Sequence, residues 1–346
     1  MTITIGSQDL VATLIAVHKI TTTLGVPGAT YVRGKPGIGK SSLDRQAADI
    51  MGIGHCKVNI PTTPMEDFGG IPVISSDKRT MTYAMQDEAL PWEGSSHFPP
   101  QGILTLDEAG QALIPEQKLC ASLVQDRALH GRRLMPGWSI VANGNNLSDR
   151  SGAVKLLGMF ADRMTIYDLE IPHEDWIKWA QRPGSTVDEL LVAYHSFTKG
   201  AYLNAYDAAV DISPTARSWV EHVSPYIGRV PNEFATFAGA VGEGAAADFL
   251  TFVKTFRELP NIDAIILDPL NADVPEKLDV LWAVASSLAK ASTEHNFERI
   301  TTYANRMPAE FTTLVVLGSM RKDINICNTR AFRDWSVSAA GAAALL

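Results

Sequence analysis

The residues with the clearest chemistry lie in a glycine-rich segment near the N-terminus. The segment Gly34-Lys35-Pro36-Gly37-Ile38-Gly39-Lys40-Ser41 has the G-x-x-x-x-G-K-S spacing of a phosphate-binding loop (P-loop). Its glycines let consecutive backbone N–H groups turn toward phosphate oxygens, its second lysine can reach the β- and γ-phosphates, and its serine hydroxyl is placed to bind Mg²⁺. The pattern therefore predicts a site for a nucleoside triphosphate with Mg²⁺. The expected binding residues are Gly34, Lys35, Pro36, Gly37, Ile38, Gly39, Lys40, Ser41 and Ser42.

An apolar run that ends in two acidic residues supplies the second part of a phosphoryl-transfer site. Residues 102–106 lead to Asp107 and Glu108, which is the pattern of a buried strand that delivers carboxylates at its C-terminal end. Asp107 is the expected partner of Mg²⁺ together with Ser41, and Glu108 is expected to polarise the attacking water. An Asp-Glu pair alone also occurs at the solvated start of a loop. Its combination with the P-loop favours the catalytic interpretation.

These motifs need a sheet to bring them together, and the first half of the chain predicts one. Strand patterns alternate with helical patterns there, which favours a mostly parallel sheet covered by helices, with ligands at the carboxyl ends of the strands. From residue 174 onward the apolar spacing becomes helical. The predicted strands are 29–33, 56–60, 103–107, 138–142 and 163–169. The predicted helices of the second half are 174–180, 187–199, 214–223, 233–259, 275–291, 297–306 and 308–321.

Composition narrows the class of protein. With 346 residues, 46% of them hydrophobic and 20% charged, the chain can bury a substantial core in two or three domains, as a soluble enzyme does. The formal net charge of −8 argues against a broad surface for duplex DNA. The three cysteines are scattered, which is typical of a reducing compartment. Because no stretch reaches the roughly 18 apolar residues of a membrane span and the N-terminus lacks the basic start of a signal peptide, we expect a cytoplasmic protein without membrane contact.

Three further segments, taken in order with the two motifs, resemble one family. Residues 63–70 are similar to a T-x-x-D-L-x-G segment, residues 127–138 to a hairpin inserted before the next strand, and residues 141–145 to a sensor strand of A-T-x-N type. Residues 102–108 match the G-I-L-x-L-D-E strand of the same family. On these residues the chain resembles the MoxR-like branch of AAA+ ATPases, which is related to dynein and midasin modules, over residues 10–225.

The resemblance implies ATP as the nucleotide and assigns the sensor 1 residue to Asn145. An asparagine there could hydrogen-bond the attacking water or the γ-phosphate. Asn143 is the alternative, because the cluster Asn143-Gly144-Asn145-Asn146 allows a register shift of two. An ordinary asparagine-rich turn is the other interpretation. The adenine-contacting residues stay open, with Val26 and residues 11–20 as candidates.

Three arginines are candidates for roles that the resemblance implies. Residues 160–164 are similar to an L-x-x-R-F segment whose arginine reaches the nucleotide site of a neighbouring subunit, which makes Arg163 the expected arginine finger. Arg150 is a second candidate for contacts across such an interface. Residues 213–219 resemble the S/T-P-R-x-W start of a lid helix, so Arg217 is the expected sensor 2, although Ala216 stands where the family has proline. Taken alone, each arginine is more often part of a surface ion pair.

The resemblance also implies the architecture and the activity. It implies an α/β P-loop AAA+ core with a five-stranded parallel sheet between helices at 1–172, an α-helical lid domain at 173–259 and a helical C-terminal extension at 260–346. The implied activity is ATP hydrolysis by a homo-oligomer, expected to be a hexameric ring, that remodels a protein client beside a partner with a von Willebrand factor A domain. Two other functions stay open. One is a nucleic-acid motor, which Lys78-Arg79 and Arg132-Arg133 favour, and the other is an ATP-gated scaffold with low turnover, which Glu108 disfavours.

Overall fold

Alternating strands and helices build the first half of the chain around one parallel sheet. The computed structural model describes residues 3–149, 152, 154–257 and 261–345. The strands of these residues are β1 (Ile3–Ile5), β2 (Ala29–Arg33), β3 (Gly54–Asn59), β4 (Ile71–Ile74), β5 (Met81–Ala84), β6 (Gln101–Asp107), β7 (Ala128–Leu129), β8 (Arg132–Arg133), β9 (Gly137–Gly144) and β10 (Thr165–Leu169). Six of them form the parallel sheet in the order β1-β10-β2-β9-β6-β3, while β4 pairs with β5 and β7 with β8 in two antiparallel hairpins. The predicted α/β fold class is thereby confirmed.

The sheet contains each of the five predicted strands and one more. The additional strand, β1, has three residues and pairs with β10 at the edge of the sheet. A three-residue strand shows too little apolar alternation to be recognised from sequence alone. The order places β9 between β2, which leads into the P-loop, and β6, which ends in Asp107. The ends of these three neighbouring strands therefore carry the predicted phosphate, sensor and acidic residues.

Helices cover both faces of this sheet. The helices of the first half are α1 (Ser7–Leu24), α2 (Lys40–Met51), α3 (Met65–Gly69), α4 (Ile114–Asp126) and α5 (Gly158–Ala161). On β6, Ile103 belongs to the apolar core that α1 and α2 share, whereas Leu104 and Leu106 belong to the core that includes α4. Successive side chains of a strand point to opposite faces, so a strand that is buried on both faces reads as a continuous apolar run.

The two hairpins are joined by polar and aromatic contacts. Tyr83 of β5 stacks on His130, in the turn of the β7–β8 hairpin, with ring centroids 3.6 Å apart. Arg132 of β8 donates to the carbonyl of Met85 and forms an ion pair with Asp87. The β7–β8 hairpin lies within the insert that the sequence predicts at 127–138. These contacts tie the segment that follows β5 to that insert.

The second half of the chain is helical. The chain divides into two compact units, Met1–Ile171 with Tyr206–Val210, and Pro172–Ala205 with Asp211–Leu346. The helices of the second unit are α6 (His173–Ala180), α7 (Glu189–Phe197), α8 (Ala216–His222), α9 (Glu233–Val241), α10 (Glu243–Arg257), α11 (Ile262–Leu267), α12 (Leu278–Ala291), α13 (Phe297–Ala304), α14 (Ala309–Lys322), α15 (Arg330–Ser336) and α16 (Ala339–Leu345). The separation of a lid from a C-terminal extension at residue 259 stays a prediction. No helix of the described residues is both long and apolar enough to cross a bilayer.

The predicted helix 233–259 is two helices. Gly242 separates α9 from α10, and its φ of 85° lies in the left-handed region, where glycine ends a helix without steric cost. Trp219 of α8 and Phe249 of α10 pack with Tyr194 of α7 in an aromatic core. The break at Gly242 separates two helices that lie in the same unit.

Candidate nucleotide-binding site

The P-loop connects β2 to α2 and has the backbone that its glycines allow. Gly37 and Gly39 have φ values of 70° and 102°, in the region that other residues rarely adopt. Gly39 is the N-cap residue of α2, so the loop ends at the helix N-terminus, where unpaired N–H groups and the helix dipole favour an anion. The geometry is that of a phosphate cradle.

Lys40, the first residue of α2, links the P-loop to the end of β9. Its Nζ donates to the carbonyl oxygens of Gly34 and Lys35 at 2.8 and 3.0 Å, and to Oδ1 of Asn145 at 2.8 Å. All three of these acceptors are neutral. A phosphate oxygen would give the ammonium group a negatively charged partner, which adds Coulomb attraction to the hydrogen bond.

Ser41 and Asp107, the predicted Mg²⁺ ligands, are in contact. The Ser41 hydroxyl donates to Oδ1 of Asp107 at 3.0 Å. The other carboxylate oxygen, Oδ2, lies 2.7 Å from Nζ of Lys57 on β3. A hydroxyl and a carboxylate are hard oxygen ligands of the kind that Mg²⁺ prefers, so the pair fits that ion. Lys57 was not singled out from the sequence, because its proximity follows from the pairing of β3 with β6.

Glu108 stands at the turn that follows β6. Its φ is 55°, a left-handed value that turns the chain sharply at the end of the strand. Oε2 of Glu108 accepts a hydrogen bond of 3.1 Å from Nδ2 of Asn59, the last residue of β3. Asn59 and Asp107 are opposite each other in the strand register. Sequence reasoning missed Asn59, although its place as a polar residue near the end of the predicted strand 56–60 is the signal that could have found it.

The two candidate sensor asparagines have different surroundings. Asn143 is fully buried inside the sheet and donates to Oδ2 of Asp44 at 2.6 Å. Asn145 lies just beyond β9, where it contacts Lys40. Between them, the carbonyl of Gly144 accepts from the N–H of Gly34 at 3.3 Å, so the end of β9 is attached directly to the start of the P-loop.

The candidate arginines lie outside this cluster of contacts or in the other unit. Arg163 follows α5, is half-buried and donates to the carbonyl of Met159. Arg217 is exposed in the first turn of α8, in the helical unit. Arg150 lies outside the described residues. A further arginine, Arg33 at the end of β2, forms a two-point ion pair with Asp168 of β10 at 2.6 and 3.0 Å, and this pair raises the pKa of Arg33.

Comparison with known proteins finds solved structures, among them one of low similarity to the chain. No family model and no curated protein matches the chain. A RuvB mutant from Thermotoga maritima is similar over 81% of this chain and 69% of that chain, at 13% identity and a TM-score of 0.35. The class of the protein therefore follows from its own sheet and motifs.

The P-loop, the order of the sheet and the acidic strand end define that class. The P-loop joins β2 to α2, one strand separates β2 from β6, and helices cover both faces. This is an α/β fold of P-loop type, in which the loop joins a strand of the parallel sheet to a helix, and a helical region follows it.

Proposed function

We propose that the chain is a cytoplasmic, ring-forming AAA+ ATPase of MoxR type that uses ATP hydrolysis to remodel a protein partner. The observation that carries the ATPase part is the meeting of three polar pairs at one edge of the sheet. These pairs are Lys40 with Asn145, Ser41 with Asp107, and Asn59 with Glu108. Phosphoryl transfer depends on positioning and charge neutralisation more than on covalent chemistry, and these are the groups that supply both.

Each residue has a specific role in this proposal. The loop N–H groups and Lys40 bind the β- and γ-phosphates, and Ser41 with Asp107 would hold Mg²⁺, which neutralises phosphate charge when bound. Glu108 accepts the proton of the attacking water. Before that step, Asn59 holds the Glu108 carboxylate in place through its hydrogen bond. Asn145, at hydrogen-bond distance from Lys40, is the sensor that the geometry favours over the buried Asn143.

The MoxR type, the protein partners, the ring and the sensor 2 assignment are supported by observations outside the P-loop contacts. The resemblance in segments 63–70 and 127–138 supports the MoxR type, the protein client and the partner with a von Willebrand factor A domain. Arg163 supports the ring, because its Nε is buried without a hydrogen-bond partner in the described part of the chain. A neighbouring γ-phosphate would give this guanidinium a charged partner in addition to the carbonyl of Met159. Arg217 is proposed as sensor 2.

Paired variants test the ATPase. Lys40→Ala should weaken ATP binding about 30- to 150-fold, because a charged hydrogen bond of about 2–3 kcal/mol is lost. Glu108→Gln should leave ATP binding unchanged and lower turnover by about a thousandfold, because only the proton acceptor is removed. Fluorescent-nucleotide titration and steady-state phosphate release measure the two quantities. Lys19→Ala, at an exposed position of α1, is the matched control.

Two outcomes would contradict the ATPase assignment. One is a Glu108→Gln protein that hydrolyses ATP at close to the original rate. The other is a Lys40→Ala protein that binds ATP as tightly as the Lys19→Ala control does.

A nucleic-acid motor is the second candidate. Lys78 and Arg79 are both exposed at the turn of the β4–β5 hairpin, where they could contact a phosphate backbone. Arg132 is engaged with Asp87 and is less available. Binding of labelled single strands that weakens steeply with salt, and is lost in a Lys78→Ala/Arg79→Ala variant, would favour this function over a protein client.

A further inference from the structure

A buried carboxylate lies beneath the candidate nucleotide site, on one of the elements that build it, and contacts two others. Asp44 is on α2, three residues after Ser41, and its side chain is fully buried. Its Oδ2 accepts a hydrogen bond of 2.6 Å from Nδ2 of Asn143 on β9 and one of 3.1 Å from Oγ1 of Thr105 on β6. A single side chain therefore connects the P-loop helix to two neighbouring strands.

The partners of Asp44 are not arbitrary positions on those strands. Thr105 comes two residues before Asp107, and Asn143 comes two residues before Asn145. Thr105 and Asp107 lie on the same face of β6, because residues i and i+2 of a strand do, and Asn145 follows directly after the end of β9. On the α2 side of the sheet, Asp44 therefore hydrogen-bonds Thr105 and Asn143, which precede Asp107 and Asn145 of the site by two residues each.

The same elements are joined a second time at the edge of the sheet. There Ser41 donates to Asp107 and Lys40 donates to Asn145. Because α2 carries Lys40, Ser41 and Asp44 on consecutive turns, two sets of contacts about 7 Å apart along the strands fix the helix against β6 and β9. Two separate points of attachment prevent the helix from pivoting on its N-terminal turn.

We propose that Asp44 is a positioning residue for ATP hydrolysis, which sets the distance from Lys40 and Ser41 to Asn145 and Asp107 by fastening α2 to β9 and β6. The inference rests on the proposed ATPase function. It does not require Asp44 to touch nucleotide, metal or water.

A role in stability alone would not explain an acid at this position. Burying a carboxyl group costs free energy, and Oδ1 of Asp44 and Oδ1 of Asn143 have no hydrogen-bond partner within the described residues. Apolar residues of similar volume often replace buried charged groups without loss of stability. An apolar side chain could fill the space, but it could not hold Thr105 and Asn143 at hydrogen-bond distance.

Two substitutions of Asp44 separate positioning from folding. Asp44→Asn keeps an oxygen that can accept from Thr105 and Asn143, so turnover should stay within about threefold of wild type. Asp44→Leu removes both hydrogen bonds, and kcat should fall about thirty- to a hundredfold, since small misplacements in a site cost this much. KM for ATP should change by less than about threefold in both variants, because the P-loop that binds the phosphates is intact. Asp49→Leu, at an exposed position of the same helix, is the matched control.

Thermal melting of the four proteins completes the test. Support for the inference is a low kcat in Asp44→Leu with a Tm within a few degrees of wild type, together with the activity of Asp44→Asn. An Asp44→Leu enzyme with kcat within threefold of wild type would overturn it. So would loss of kcat and Tm in parallel in both Asp44 variants, which indicates a structural role only. A wild-type protein that does not hydrolyse ATP would instead overturn the proposed function, and the inference with it.

Discussion

Single residues of the candidate nucleotide site join one structural element to another. The Lys40 ammonium bridges the P-loop and the end of β9, and the Ser41 hydroxyl bridges α2 and β6. In the proposed ATPase, each of these side chains has a chemical role in addition to the structural one. Substitution data for this site need a binding measurement beside every rate, since a change in either role lowers turnover.

The buried carboxyl of Asp44 should make stability depend on pH. Burial raises its pKa to about 7, the nearby Asp107 charge adds to this rise, and hydrogen bonds from Asn143 and Thr105 with the charge of Lys57 oppose it. The folded state consequently keeps a proton that the unfolded chain, with a pKa of 3.8, releases earlier. The groups around it are Asp107 and Thr105 on β6, Asn143 on β9, and Lys57 and His55 on β3.

We expect wild type to lose stability relative to Asp44→Asn as the pH rises from 5 to 7, by about 1–2 kcal/mol, and to lose no more above the folded pKa. Free energies of unfolding from urea titrations at pH 5, 6, 7 and 8 measure the difference. His55, whose pKa burial lowers, gives a trend of the opposite sign, but it is present in both proteins and cancels. A difference that stays constant with pH would show that Asp44 is charged throughout this range.

Gly144, at the end of β9, has no room for a side chain. A Cβ there would overlap the hydroxyl of Tyr31 on β2, and Gly144 also accepts the hydrogen bond from Gly34. Gly144→Ala should destabilise the protein by about 1–3 kcal/mol, as overpacking of a core does. Tyr31→Phe should restore part of this loss in the double variant, because the overlapping oxygen is gone. Urea unfolding gives these values, with Gly158→Ala, where a Cβ meets open space, as the control.

If Tyr31→Phe does not reduce the loss of stability caused by Gly144→Ala, the new side chain overlaps a group other than the Tyr31 hydroxyl. Equal stability of Gly144→Ala and Gly158→Ala would show that β9 can shift away from Tyr31.

At the scale of elements, the sequence predicts what is local and misses what depends on pairing. The P-loop and the β6 run are visible because glycine spacing and a continuous apolar stretch are properties of one segment. Lys57, Asn59 and Asp44 are not visible in this way, because their roles follow from which strands are neighbours and in which register. The pairing of β3 with β6 places Lys57 and Asn59, and the position of β9 beside β6 places Asn143 near Asp44.

The break between α9 and α10 illustrates the same limit within one helix pattern. Residues 233–259 keep an apolar spacing on both sides of Gly242, and an isolated glycine is tolerated inside many helices. Only its left-handed backbone shows that the first helix ends there.

A capping box sets the start of α8. Thr215 is the N-cap, its Oγ1 accepts from the N–H of Ser218, and the Ser218 hydroxyl accepts from the N–H of Thr215. This capping box explains why the helix begins at Ala216 without a proline there. Thr215→Ala should cost about 1 kcal/mol in urea unfolding, whereas Thr251→Ala, at an exposed position inside α10, should cost less than about 0.5 kcal/mol. Equal effects of the two would argue against the cap.

At the scale of the whole molecule, each catalytic site of the proposed ring would be formed by residues of two neighbouring subunits. If Arg163 completes the site of a neighbour, Arg163→Ala should leave nucleotide affinity within a few-fold and lower turnover by about a thousandfold. A mixture of Arg163→Ala and Lys40→Ala subunits should then regain activity, because some interfaces combine an intact P-loop with an intact arginine. Phosphate release measured across mixing ratios tests this, with an Arg163→Ala and Glu174→Ala mixture as the control for dilution.

Failure to recover activity, with mixed rings verified by mass, would remove Arg163 from the role of a finger in trans. Sedimentation with and without a non-hydrolysable ATP analogue tests the ring itself. A monomer under both conditions would exclude ATP-dependent assembly.

The contact between Tyr31 and the glycines beside it also restricts the mutational history open to this protein. The Tyr31 hydroxyl stands where a side chain at Gly110 or at Gly144 would have to go. Loss of that hydroxyl before a glycine is exchanged therefore removes part of the overlap, whereas the reverse order passes through a more destabilised intermediate. Lineages that keep the tyrosine are expected to keep both glycines, and a change at position 31 would make exchange at the other two positions less costly.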